Sequence, residues 1–129
     1  MRRRVPVHPG WGIAALRVAM GLVLLLHGYQ KFAGGLATVS AYFAQMSIPL
    51  PGVTGPFIAA LELVGGALLV LGLATRWVGL LFALEFVVAT FWVALPRAGV
   101  TRSSLEIMLL AGGLLLFLNG GGKAALDRT

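Results

Sequence analysis

The sequence predicts an all-α membrane protein: a four-transmembrane-helix bundle with a short interfacial helix between helices 1 and 2. Composition is the first observation behind that prediction. Of 129 residues, 59% are hydrophobic and 11% charged, with mean hydropathy +0.95, whereas a soluble domain averages about 25% charged residues. The second is segmentation, because apolar stretches close to bilayer length alternate with Gly- and Pro-containing breaks. A hydrocarbon layer of roughly 30 Å takes about 20 helical residues at ~1.5 Å each. The third is the placement of acids: Glu62, Glu85 and Glu106 fall inside predicted spans, leaving Asp127 in a tail.

Residues 1–10 form a basic, Pro-containing tail. The start MRRRV before an apolar run resembles a secretory signal. Arg17 interrupts that run and no clear small-x-small cleavage site follows, so the segment reads as an uncleaved first helix. Helix 1 is predicted over about 11–32 and stops at Gly34-Gly35. At about 100° per residue, Arg17, Gly21, Leu24, Gly28 and Lys31 share one stripe, with Met20 and His27 beside it. A small and polar stripe on an otherwise apolar helix marks the side that packs against other helices.

Residues 36–46 are too short and too polar to span. Leu36, Val39, Tyr42, Phe43 and Met46 keep helical spacing, which predicts a helix lying in the interface. The run from Ile48 to Gly52, with Pro49 and Pro51, then turns the chain. Helix 2 is predicted over about 56–74, with Pro56 in its first turn. Helix 3 runs over 77–95 and is stopped by Pro96. Helix 4 covers 103–118, capped by Ser103 or Ser104 and closed by Asn119 and the three glycines after it. Residues 1–129 make one domain with no internal repeat.

The net charge of +6 resides mainly at chain ends and loops, which reports topology and contact with anionic lipid headgroups rather than nucleic acid. With the N-terminus inside, the inner side holds Arg2, Arg3, Arg4, Arg76, Lys123 and Arg128, against Lys31, Arg97 and Arg102 outside. That excess places both termini in the cytoplasm of a prokaryotic plasma membrane. The absence of cysteine excludes disulfide exchange, thiolate metal sites and Fe–S ligation by this chain. Two histidines without cysteine argue against structural zinc, and His8 in the tail with His27 in a helix argues against bis-histidine haem ligation. No metal site and no cofactor is evident from the residues.

An ionisable group at membrane depth costs on the order of 2.5–3.5 kcal/mol on insertion scales, so its default state is to have a partner. Position along the helices puts His27, Gln30, Lys31, Glu62 and Glu106 toward the outer side, where they can form one cluster. Arg17 and Glu85 fall nearer the middle or inner half and can form a second pair. Gly65, Gly66 and Gly113 lie near the faces of Glu62 and Glu106 and allow backbones to approach. Plainer readings stand beside these: Lys31 or Arg17 snorkelling to an interface, Glu106 complementing a helix dipole, or a polar network that only packs the helices.

These residues carry a resemblance. Arg17 with Gly21, the run His27–Phe32 closing helix 1, Tyr42-Phe43 with Ile48–Gly52, Glu62 with Gly65-Gly66, Gly72–Arg76, Glu106 and the closing Gly121–Asp127 follow one another as in the DoxX family of small prokaryotic four-helix membrane proteins. Ala125 stands where the family pattern has serine, and Glu85 lies outside the pattern. The chain resembles that family over nearly its whole length. The resemblance implies a membrane subunit connected with quinones or with an oxidative-stress redox complex. It does not by itself assign a reaction.

Three functions follow as expectations. The first is an accessory subunit of a quinone-linked redox system, the outer cluster meeting a quinone head group whose oxygens accept from His27 or Lys31 while Glu62 exchanges protons; electron transfer then needs a membrane or peripheral partner protein. The second is a non-enzymatic scaffold or binder of lipid or membrane protein, docking through residues 36–46. The third, weaker, is a proton or small-solute carrier, which a homo-oligomer would favour by enlarging the cavity.

Overall fold

A computed structural model of the chain describes residues 9–122, and among these every regular element is helical. In order they are α1 (Pro9–Ala33), α2 (Leu36–Gln45), α3 (Pro51–Leu71), α4 (Thr75–Val88), a π-helical stretch (Ala89–Ala94), α5 (Leu95–Arg102) and α6 (Ser104–Asn119). The helical runs Gly10–Ala33, Pro51–Leu71 and Thr75–Arg102 are long and apolar enough to cross a bilayer. Ser104–Asn119 is equally apolar but has 16 residues, or roughly 24 Å of helix. Large apolar side chains such as Leu26, Phe57, Leu84, Phe91 and Leu118 are exposed around the outside. A surface of that kind suits lipid, and the chain is a membrane protein.

α3 begins five residues before the predicted start at 56. Pro51 suits a first helical turn, and Leu50 ahead of it adopts a left-handed conformation (φ 52°) that reverses the chain. Pro56 therefore lies inside α3 rather than at its start. The carbonyl it leaves unbonded, at Gly52, belongs to an exposed residue, so solvent or headgroups can serve it. At the other end Gly72 (φ 75°) closes the helix at Leu71. The Gly72 and Leu73 N–H groups donate back to Leu69 and Leu68, a Schellman arrangement.

Pro96 does not stop the third long helix, contrary to expectation. The helix continues past Pro96 to Ala98, with the π-helical stretch Ala89–Ala94 before the proline, and the chain kinks at Gly99 (φ 81°, ψ 175°) ahead of a last turn to Arg102. In a regular helix the residue at 96 would donate to the Trp92 carbonyl, and proline cannot. Arg97 does so instead: its Nη1 donates to Trp92 O at 2.7 Å and to Val93 O at 3.4 Å. The side chain thus replaces the missing backbone donor.

Ser103 stands at the N-cap of α6 but makes no side-chain cap; its Oγ donates backwards to Gly99 O at 2.6 Å, and Ser104 Oγ donates to Thr101 O at 2.5 Å. The basic tail, His8 and the closing run from Lys123 to Arg128 lie outside the described residues.

Lipid tails are as apolar as leucine, so helices associate here through close packing and hydrogen bonds rather than through water exclusion. Glycine provides the closeness. A methyl on Gly21 would sit 2.8 Å from the Gly66 oxygen, and one on Gly66 would sit 2.5 Å from the Leu25 nitrogen, which fixes α1 against α3. α4 meets α6 the same way through Gly79 and Gly113. Phe82 fills the notch at Gly65 and joins Met20, Leu24, Leu69, Val78, Phe86, Leu109 and Leu116 in one buried cluster. The first two turns of α3 reach past α1 and carry α2, with Gly55 against Ser40.

Candidate functional site

Beyond the glycine contacts the helices diverge, leaving a cavity of about 990 Å³ between the end of α1, α2, α3, the α4–α5 run and the start of α6. Its walls are mostly apolar, with Phe43, Ile48, Phe57, Ile58, Phe86, Val93 and Leu109 among them. Three of the charged groups, those of Lys31, Glu62 and Glu85, meet at one place. Lys31 Nζ donates to Glu62 Oε1 at 2.5 Å, the two side chains being 25% and 4% exposed. Glu62 sits mid-helix against Gly28, where its charge demands a partner. Lys31 reaches it along a side chain whose stem covers apolar surface.

Glu85 joins this pair. Glu62 lies within hydrogen-bonding reach of its carboxyl and Lys31 within electrostatic reach. Its Oε1 is buried without a hydrogen-bond partner. His27, half-buried on the cavity wall, brings Nδ1 to 2.7 Å from the Val23 carbonyl of its own helix. A carbonyl only accepts, so Nδ1 carries the hydrogen and Nε2 is the ring nitrogen left for other contacts. Gln30 lines the cavity and is exposed; Glu106, in the first turn of α6, lines it and is half-buried. Arg97 and Arg102 line it from α5, both exposed.

The structure thus brings His27, Gln30, Lys31, Glu62 and Glu106 to one cavity and adds Glu85. It does not bring Arg17 and Glu85 together as an inner pair. Arg17, 1% exposed, donates from Nε to Leu69 O at 2.9 Å and from Nη1 to Gly121 O at 2.6 Å. Both acceptors lie at helix C-terminal ends, where carbonyls concentrate negative potential that a guanidinium fork matches. Glu85 lies near the middle, as expected, but beside Glu62 rather than Arg17, and one signal for that pairing was available. Glu62 lies 11 residues before Leu73 and Glu85 lies 11 residues after Ala74. In two helices folded back about that turn, equal distance means equal depth.

The sequence reading also missed two parts of the cavity rim. The π-helical stretch contributes Ala89, Val93 and Ala94 to the wall, and such stretches recur at functional sites. Trp92 Nε1 donates to Met46 O at 2.9 Å, joining that stretch to the end of α2. Among the described residues no group of three or more His, Cys, Asp or Glu is placed to hold a metal ion.

Comparison with known proteins gives a consistent picture. The family model described as DoxX matches residues 12–95, which contain all the cavity's charged residues on α1, α3 and α4. A Bacillus subtilis (strain 168) protein named "Putative oxidoreductase CatD" is 40% identical over 116 residues, covering 90% of this chain and 84% of the relative. A Haemophilus influenzae protein (strain ATCC 51907 / DSM 11121 / KW20 / Rd), described as "Uncharacterized protein", is 29% identical over 121 residues, covering 89% of this chain and 87% of the relative. No solved structure matches the chain.

Proposed function

The chain belongs to the DoxX family, and from that premise we propose that it is a membrane subunit of a quinone-linked or oxidative-stress redox system. The observation that carries this reading is the cavity: apolar walls around a charged floor fit a ligand with an oxygen-bearing ring and an apolar tail. Its volume is at the upper end of the roughly 300–1,000 Å³ of ordinary ligand sites. The orphaned Glu85 Oε1 and the uncommitted ring nitrogen of His27 are the kind of groups that orient such a head. The name of the Bacillus relative supports a redox role.

In this reading α6 is the fourth crossing, α2 lies in the outer interface, and both termini face the cytoplasm of a prokaryotic inner membrane. A quinone, when bound, supplies reversible electron and proton uptake, the electrons being exchanged with a membrane or peripheral partner. This chain's residues hold the head group, exclude lipid from it, and move a proton at the carboxyl oxygens of Glu62 and Glu85. Lys31 keeps the acidic floor from repelling itself.

The test is native mass spectrometry of protein extracted gently with its lipids, paired with an ultraviolet–visible spectrum. A stoichiometric quinone, lost on Glu62→Gln or His27→Ala in folded protein, is the expected result. Ordinary phospholipid alone, unchanged by those substitutions, would assign the cluster to helix packing and the protein to a scaffold or lipid-binding role.

A further inference from the structure

Resting on the quinone-class reading above, we propose that the cavity selects the reduced, hydroxylated form of its ring ligand over the dicarbonyl form. The argument is a donor and acceptor count at the cavity floor. A dicarbonyl ring offers only acceptors and needs donors from the protein; a dihydroxy ring brings its own donors and needs acceptors.

The floor is rich in acceptors. Glu62 and Glu85 each present a carboxyl group, and they share a single ammonium, that of Lys31. Lys31 is already drawn against Glu62. Glu85 Oε1 is buried with no partner at all. That oxygen accepts whether its carboxyl is charged or holds a proton on the other oxygen. His27 gives its Nδ1 hydrogen to Val23 O, so in the neutral ring Nε2 is a second free acceptor on the cavity wall. The other donors on the lining, Gln30, Tyr42, Arg97 and Arg102, are exposed, where water competes with a ligand, and Lys31 keeps two further N–H groups but is held beside Glu62.

A buried acceptor without a partner penalises any occupant that cannot donate to it. Sites built to pair a hydroxyl reject analogues lacking it far more strongly than apolar pockets reject a missing methylene. Hydroxyls at Glu85 Oε1 and His27 Nε2 satisfy both groups; carbonyl oxygens placed there meet lone pairs. This reverses the expectation that His27 acts as a donor to ligand oxygens.

The experiment uses the full chain in detergent micelles under argon, with empty micelles as the partitioning control. Calorimetric titration compares naphthohydroquinone, naphthoquinone and the dimethyl ether of naphthohydroquinone, which keeps the ring and loses both donors. The hydroquinone is expected to bind at least about tenfold more tightly than either of the others, as the loss of a hydrogen bond to a charged or buried partner implies. In Glu85→Gln, where one of the two carboxyl oxygens becomes an NH2 donor, the ratio of hydroquinone to quinone affinity should fall toward unity. Naphthoquinone binding as tightly as the hydroquinone, or a preference that persists unchanged in folded Glu85→Gln, would overturn the proposal while leaving the quinone-class reading intact. If none of the three compounds binds above the micelle control, both fail together. Should Glu85→Gln not fold, the three wild-type affinities still decide.

Discussion

Gly28 of α1 rests directly on the backbone of Leu63 in α3: a methyl at Gly28 would lie 2.7 Å from the Leu63 Cα and 2.9 Å from the Glu62 carbonyl carbon. Both obstacles are main chain, which cannot rotate away. Gly28→Ala must therefore push α1 from α3 at the level of the Lys31–Glu62 pair, with an expected cost of about 1–3 kcal/mol. Gly12→Ala, in the same helix with nothing within 4 Å, should be neutral or stabilising by up to about 1 kcal/mol. Thermal aggregation followed by size-exclusion chromatography in detergent separates the two. Equal behaviour of both variants would contradict the packing described.

Removing one member of the Lys31–Glu62 pair should cost more than removing both. Lys31→Met leaves a carboxylate 4% exposed without its ammonium, and the full penalty for stranding a buried charge is about 3–5 kcal/mol. The partial exposure of Lys31 lowers this to about 2 kcal/mol. The double variant Lys31→Met/Glu62→Leu should regain most of the loss. Stabilities of the four proteins in a double-mutant cycle check it, and strict additivity would show that the pair is not coupled.

Arg17 acts on stability and not on the cavity. Arg17→Leu leaves the carbonyls of Leu69 and Gly121 without their guanidinium, at about 1.5–3 kcal/mol for each charged hydrogen bond lost. Arg17→Lys should restore only part, because an ammonium does not reproduce the fork. Reduced thermal stability with unchanged ligand affinity per folded molecule is the expected pattern. A changed affinity in the folded fraction would tie Arg17 to the cavity.

The Arg97 side chain stands in for the donor that Pro96 lacks. Arg97→Ala should then destabilise by about 0.5–1.5 kcal/mol, and Pro96→Ala should suppress that loss by returning an N–H to the Trp92 carbonyl. Amide hydrogen exchange over residues 89–102 reports it locally. Suppression by Pro96→Ala is the decisive sign, because no surface-charge account of Arg97 predicts it.

Much of this architecture can be read from side-chain pattern, and what cannot is mostly backbone. The stripe of Arg17, Gly21, Leu24 and Gly28 identified the buried face of α1, because small and polar residues have no other reason to align on a lipid-embedded helix. His27, Lys31 and Glu62 could be assigned a common level from their distances to helix ends. The carbonyls of Leu69 and Gly121 were invisible as partners of Arg17, since carbonyls belong to every residue and leave no mark in a sequence. Pro96 misled for the same reason: the rule that proline ends a helix concerns an unbonded carbonyl, and the next residue's side chain removed it. Glu85 was paired with Arg17 rather than Glu62 because α3 begins at Pro51 and not at 56, which moves Glu62 from near a helix end to the middle, level with Glu85.

The bond from Arg17 to Gly121 spans 104 residues of sequence, and that separation sets a timetable for biogenesis. At ribosomal rates of about 5–20 residues per second, one acceptor of the guanidinium is synthesised roughly 5–20 s after the arginine itself. Throughout that interval the nascent first helix must keep its cation hydrated, headgroup-bound or sheltered by the insertion machinery. α1 thus waits on the segment that follows α6 for one of its buried hydrogen bonds.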